Sequence, residues 1–225
     1  MTRMMITMLA AATLLSACVA SDDVSRSVNP ITESSQFNAV ESNLPKVMVG
    51  QYSVQAVNVS VPRSLRVSEA NMFYPIADIV WRGDVRGDRH AQIKSIFDEA
   101  AAKVSAVMTQ GQAAIVDVEV LRFHSVTEKT RYTVGGVHDV KYILTVRDAQ
   151  SGAILDGPRK VHAEVKAAGG AQAVAEEQAG RTMRVVIVER LVNSLRAELS
   201  AQVTDPLLVS QALSGVPSDF TTNAN

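Results

Sequence analysis

Two runs of alternating residues restrict this chain to folds built on a half-buried sheet. Between Ala114 and His124, Val116, Val118 and Val120 fall on one side of an extended backbone, and Asp117 and Glu119 fall on the other. After the Gly135-Gly136 break, Val140, Tyr142, Leu144 and Val146 alternate with Asp139, Lys141, Thr145 and Arg147. A period of two gathers the apolar members on one face, and their β-branched chains favour the pleated backbone. Turn chemistry at Asp148-Ala149-Gln150-Ser151-Gly152 leads to a third alternation within Lys160 to Lys166, with Val161, Ala163 and Val165 inward, so an antiparallel meander is expected. Upstream, Val57, Val59 and Val61 predict a strand before Pro62, with Leu65 and Val67 placed to continue it. A short apolar piece, Ala77 to Trp81, then runs into Arg82-Gly83-Asp84-Val85-Arg86-Gly87-Asp88, whose glycines mark turns.

A sheet with one apolar face needs a cover, and two helical stripes supply it. Asp88 is placed to cap a helix reaching Met108, in which Ile93, Ile96, Phe97, Ala100, Val104, Val107 and Met108 recur at spacings of three and four. Gly111 marks its end. A second, longer helix is expected over Ala173 to Val203, where Met183, Ile187, Leu191, Leu195 and Leu199 recur every four residues and Val188 and Val192 widen the stripe. Gly180 weakens its first turns by about 1 kcal/mol relative to alanine, so a start or a bend there is equally compatible. The expected class is α+β: a two-layer sandwich, with a mostly antiparallel sheet of about four strands and two helices packed on one face.

The N-terminal residues carry a different signal. Arg3, an apolar stretch from Met4 to Leu15, and then small residues follow the order of a secretory signal peptide. That stretch is too short to cross a bilayer, which takes about 20 residues. Leu15, Ser16, Ala17 and Cys18 resemble the lipobox of bacterial lipoproteins. The resemblance implies cleavage before Cys18, acylation of its thiol, and attachment to a membrane through the N-terminal lipid. Val19, where an aspartate would mark inner-membrane retention, implies the outer membrane and its periplasmic face. Residues 18–48, rich in Ser, Asn and charge, read as a tether, and about 28 flexible residues reach roughly 30 Å. The expected organisation is therefore a signal peptide over 1–17, the tether over 18–48, one domain over 49–203, and a loose C-terminal tail over 204–225.

Composition and motifs exclude several classes. With 22 Lys and Arg against 23 Asp and Glu, the chain has no field suited to nucleic acid. The four histidines, His90, His124, His138 and His162, share no ligand spacing and read as surface residues, so no metal and no cofactor is expected. Asp117 and Glu119 could be paired catalytic carboxylates, but Lys141 and Arg147 on the neighbouring strand make a charge-paired surface the simpler reading. No Gly-x-Ser-x-Gly turn or phosphate loop is present, and the expectation is a non-enzymatic protein. The Arg82-Gly83-Asp84 tripeptide in a turn carries no weight as an adhesion motif.

Aromatic residues make up only 4% of the chain, and Met72, Phe73, Tyr74 and Trp81 form its most conspicuous apolar loop. Two readings stand: a partner surface, as aromatics at a rim suggest, or a cap of Phe73, Tyr74 and Trp81 over the end of the core. The lipobox, the order of elements, the Trp81-Arg82-Gly83-Asp84 turn before the first helix, and the hairpin from Val146 to Leu155 resemble auxiliary lipoproteins of ABC-type lipid transporters and, more distantly, the lipopolysaccharide-assembly lipoprotein. A separate lipoprotein family fits these features equally well. The resemblance implies an accessory component of an envelope transport or assembly complex, whose partner is a protein of that complex. The alternative is a periplasmic protein that binds a lipid or another small ligand between helices and sheet.

Overall fold

In the computed structural model, which describes residues 47–203, both alternating runs become central strands. Along the chain the elements are β1 (Val47–Gly50), β2 (Tyr52–Ser60), β3 (Ile79–Val80), α1 (Arg89–Val107), β4 (Gln112–His124), α2 (Glu128–Arg131), β5 (Gly136–Asp148), β6 (Ile154–Ala167), α3 (Gly170–Gln178), α4 (Met183–Glu198) and β7 (Ser200–Val203). The main sheet has the order β2-β4-β5-β6, with β3 also paired to β4. Strands β4, β5 and β6 form the expected antiparallel meander. Strands β2 and β3 lie parallel to β4. The physical reason is the connection: α1 carries the chain back along the sheet between β2 and β4, as a parallel crossover requires.

The fold is the expected α+β sandwich of sheet and helices. Helix α1 starts at Asp88, whose carboxylate accepts from the Ala91 N–H at 3.1 Å. Its buried stripe, Ile93, Ile96, Phe97, Ala100 and Val104, meets Val116, Tyr142, Leu144, Ile187 and Leu191 in one core cluster. Phe97 packs edge-on against Tyr142 with ring centroids 5.7 Å apart. The Tyr142 hydroxyl, which the apolar layer would otherwise strand, is 2.9 Å from Ser194 Oγ on α4. Val107, expected in this stripe, is instead exposed at the last turn of α1.

Three departures from the expected elements have clear causes. The first strand begins earlier, at Tyr52, and does not pass Pro62, which has no N–H to donate; Leu65 enters a turn bonded to the Pro62 carbonyl, and Val67 makes an isolated bridge to Ile79. The long second helix is two helices, α3 and α4, separated where Gly180 adopts φ 78° and Thr182 caps the new start. Residues Ser200–Val203 are not helical but form β7, pairing antiparallel with β1 from Val47↔Val203 to Gly50↔Ser200. The apolar spacing up to Leu199 holds no information about that partner, which lies far upstream. Strand β1 also takes up Val47 and Met48, the end of the segment read as a tether.

Among the described residues no helix is long and apolar enough to cross a membrane. The signal peptide, Leu15, Ser16, Ala17 and Cys18, and the tail over 204–225 lie outside the described residues.

Candidate partner surface

The loop before β3 is fixed mainly through its backbone, while the side chains of Met72, Phe73, Tyr74 and Ile76 stay exposed. Helix α2 is only four residues long and is capped by Thr127. Thr127 Oγ1 donates to the Met72 carbonyl at 2.8 Å, and Thr130 Oγ1 donates to the Phe73 carbonyl at 2.9 Å. The Lys129 N–H donates to Asn71 Oδ1 at 2.8 Å, and His124 Nε2 donates to the Pro75 carbonyl at 2.8 Å. Four points along the loop are thereby tied to one small helix and the end of β4. Phe73 nevertheless keeps 52% of its surface, Tyr74 65% and Ile76 88%.

Phe73 and Tyr74 border a cavity of about 290 Å³, completed by Val134 just before β5 and Val137 within it, and floored by His124 and Ser125. Tyr74 stacks on His124 with centroids 4.5 Å apart, and its hydroxyl accepts from Arg122 at 2.9 Å. Lys129 Nζ sits 4.6 Å from the centre of the Phe73 ring. Arg122 in turn donates to Asp139, which also receives His162 at 2.6 Å and lies 3.4 Å from Lys141. The rim is aromatic, pre-ordered and bordered by paired charges, the arrangement typical of a contact anchor.

Trp81 does not belong to this surface. It is completely buried, edge-on to Phe123 at 5.7 Å, and its indole N–H donates to Asp84 at 2.8 Å. The group of four therefore divides: Met72, Phe73 and Tyr74 face solvent, and Trp81 belongs to the core. Gly83 has a specific role here, since a Cβ at that position would lie 2.2 Å from the indole ring. Arg82 pairs with Glu128 and donates to the Glu69 carbonyl, and Asp84 also faces Arg184 at 3.4 Å. All three residues of the Arg82-Gly83-Asp84 turn are committed to internal contacts.

The reading of all four histidines as surface residues is corrected for two of them: His124 and His138 are buried. His138 Nδ1 lies 2.9 Å from Ser125 Oγ, beneath the cavity floor. Burial, reinforced by the Arg131 charge, pushes His138 down to about 4, so the ring is neutral. Burial also lowers His124. His138 continues the alternation of Val140, Tyr142 and Leu144, so its burial was legible from spacing, whereas His124 follows a bulge between Val120 and Arg122 that breaks the simple alternation of β4. Asp117 accepts from Arg147 at 2.7 Å and from Asn58 at 2.9 Å, giving the charge-paired strand face, while Lys141 turns to Asp139. Among the described residues no group of three or more His, Cys, Asp and Glu could hold a metal ion. Helix α2 was missed in the sequence, although Thr127 followed by Glu128 and then Lys129 and Arg131 carries a cap and a charge order that suit a short helix.

Residues 52–213 match the model of a family described as a family of unknown function, DUF6778. No curated protein matches the chain in sequence. Solved structures similar to it include protein XCC0632 from Xanthomonas campestris, described under DUF330, which is 13% identical with a TM-score of 0.39 over 77% of this chain and 92% of that one. A candidate lipoprotein from Caulobacter crescentus is 14% identical, with a TM-score of 0.28 over 80% and 98%. A minor lipoprotein from Acinetobacter baumannii is 10% identical, with a TM-score of 0.29 over 66% and 98%. At TM-scores this low, the likenesses carry no argument about this chain's fold or role.

Proposed function

The chain belongs to the family of unknown function DUF6778, and from that premise we propose that it is a bacterial lipoprotein, held by lipid on Cys18, that serves as a non-enzymatic accessory component of an envelope transport or assembly complex. Two or three acyl chains, each contributing about 0.8 kcal/mol per buried methylene, would hold the protein to the periplasmic face of the outer membrane. The tether gives the domain reach, and the Phe73 and Tyr74 surface takes a partner protein of that complex.

The observation that carries this reading is the contrast between loop backbone and loop side chains. Hydrogen bonds from Thr127, Thr130 and His124 hold the loop carbonyls, and Lys129 holds the Asn71 side chain, yet Phe73 and Tyr74 remain half or more exposed. A contact made by groups already ordered loses little conformational entropy on binding. The layer between helices and sheet, by comparison, is filled by Phe97, Tyr142, Leu144, Ile187 and Leu191, which leaves the partner surface as the better supported site.

The test is crosslinking in intact cells with a tagged full-length chain beside its Cys18→Ala variant, followed by mass spectrometry of proteins and lipids. Recovery of envelope transport or assembly subunits with the wild type alone is the expected result. A recovered lipid without a protein partner would replace this reading with that of a ligand carrier.

A further inference from the structure

A groove of about 460 Å³ lies beside the β1–β7 ribbon, separate from the Phe73 surface. Met48 and Val49 of β1 form one wall, Val107 and Met108 at the end of α1 another, and Arg196 and Ala197 in the last turn of α4 a third. Met48, Val49 and Val107 are 51%, 38% and 59% exposed, whereas Met108 is buried in the core. Strand β7 borders this same place: Ser200 lines the groove, and the strand ends three residues later at Val203.

Two independent observations point to the segment beyond Val203 as the occupant. The family match runs to residue 213, so residues 204–213 belong to the unit that defines the family, whereas residues before Tyr52 do not. The sequence there also has the right chemistry. Asp205-Pro206 is a suitable cap and first residue for a helix, and Leu208 with Ala212, and Val209 with Leu213, are spaced four apart. Residues 206–218 carry no charge. The three Cα–Cα steps from Val203 to Pro206 span up to roughly 10 Å, enough to turn from β7 back toward the groove it borders.

We propose that residues 206–213 dock in the groove between β1, α1 and α4, placing Leu208, Val209, Ala212 and Leu213 against Met48, Val49 and Val107. This departs from the expectation of a loose tail for its first third. It also gives the β1–β7 ribbon a role: it delivers the segment to its seat.

The experiment introduces one cysteine, Val107→Cys, into the full-length chain purified in mild detergent, and measures its rate of reaction with a maleimide. The parent chain sets the background from Cys18, and Val118→Cys, buried in β4, reports general unfolding. Truncation after Val203, or the pair Leu208→Asp and Leu213→Asp, is expected to speed labelling of Val107→Cys at least tenfold and leave Val118→Cys protected. Equal rates with and without the segment overturn the proposal. Protection that is lost on dilution, with dimers trapped by a short crosslinker, also overturns it and assigns the groove to a second copy of the chain.

Discussion

The helix-covered face of the sheet and the sector from Leu65 to Arg89 are held by different physics. Under the helices, Ile93, Phe97, Tyr142, Leu144 and Leu191 meet as apolar surfaces in a shared core. In the other sector, directed bonds place the key side chains. The buried Arg89 donates to both oxygens of Glu69, to the Asp84 carbonyl and to Gln92, while Arg82 joins Glu128 and Trp81 joins Asp84. Area burial is additive and tolerant of substitution by similar shapes, whereas directed bonds leave orphaned groups whenever one partner goes. A periodic sequence suffices for the first kind of packing. The second needs particular residues at unrelated positions.

The largest effect expected is in the core. Phe97→Ala removes the ring that packs edge-on against Tyr142 and leaves a cavity between α1 and β5, at a cost of about 3–5 kcal/mol in urea-induced unfolding. A loss below about 1 kcal/mol would show that this layer collapses to fill the space, and the contrast with the bonded sector would fail.

His138, buried beside the Phe73 surface and near Ser125, tests through pH what burial of a polar ring costs this side of the molecule. In the unfolded chain its ring takes a proton near 6.5; in the fold, burial and Arg131 hold it down to about 4. Between these values the unfolded state binds more protons, so the contribution is fully present above about 6.5 and is lost as pH falls toward 4, amounting to roughly 3 kcal/mol. Melting temperature measured across this window should fall with pH in the wild type and fall less in His138→Gln. Asp88, held down to about 2 first by Arg63 and then by the Ala91 N–H, acts in a lower window: its contribution is present above about 4 and is lost toward 2. The two groups are therefore separable in one titration.

The boundary between the two regimes is also the boundary of what could be read in the sequence. Strands β4 and β5 were legible because one face of each is buried and alternation records it, and α1 was legible from its stripe and from Asp88. The β1–β7 pairing was not, since Ser200–Val203 comes directly after an unbroken helical spacing and its partner lies near residue 48. The parallel placement of β2 depends on where α1 delivers the chain, which no local pattern encodes. For the candidate surface, Met72, Phe73 and Tyr74 stood out by residue type. Trp81 was grouped with them in sequence, and only its bond to Asp84 and its contact with Phe123 distinguish it.

Gly83→Ala probes that distinction with a single methyl group. The added Cβ would fall 2.2 Å from the Trp81 ring, so the indole or the turn must move, and the bond to Asp84 moves with it. Overpacking of this kind costs about 1–3 kcal/mol. Chemical denaturation gives the loss, and Trp81, the only tryptophan in the chain, reports the displacement directly through its fluorescence. A variant with wild-type stability and an unshifted emission spectrum would show that Trp81 is not held by the turn.

Phe73→Ser should have the smallest effect on stability and the clearest effect on association. The ring is half exposed, its carbonyl bond to Thr130 is made by the backbone and survives the substitution, and the cation over the ring, Lys129, contributes about 0.5–1 kcal/mol at such a site. Stability is therefore expected to change by less than about 1 kcal/mol, with the fold and its hydrogen-exchange pattern intact. If the loop is a contact anchor, the same change removes the apolar group that enters the partner, and crosslinked envelope proteins recovered with the wild type should fall at least tenfold. Trp81→Phe is the counterpart inside the core: it removes the bond to Asp84 and should lower stability, while recovery of partners tracks only the fraction folded. Loss of stability without loss of capture at Phe73 would reverse the comparison and make the exposed loop a structural cap.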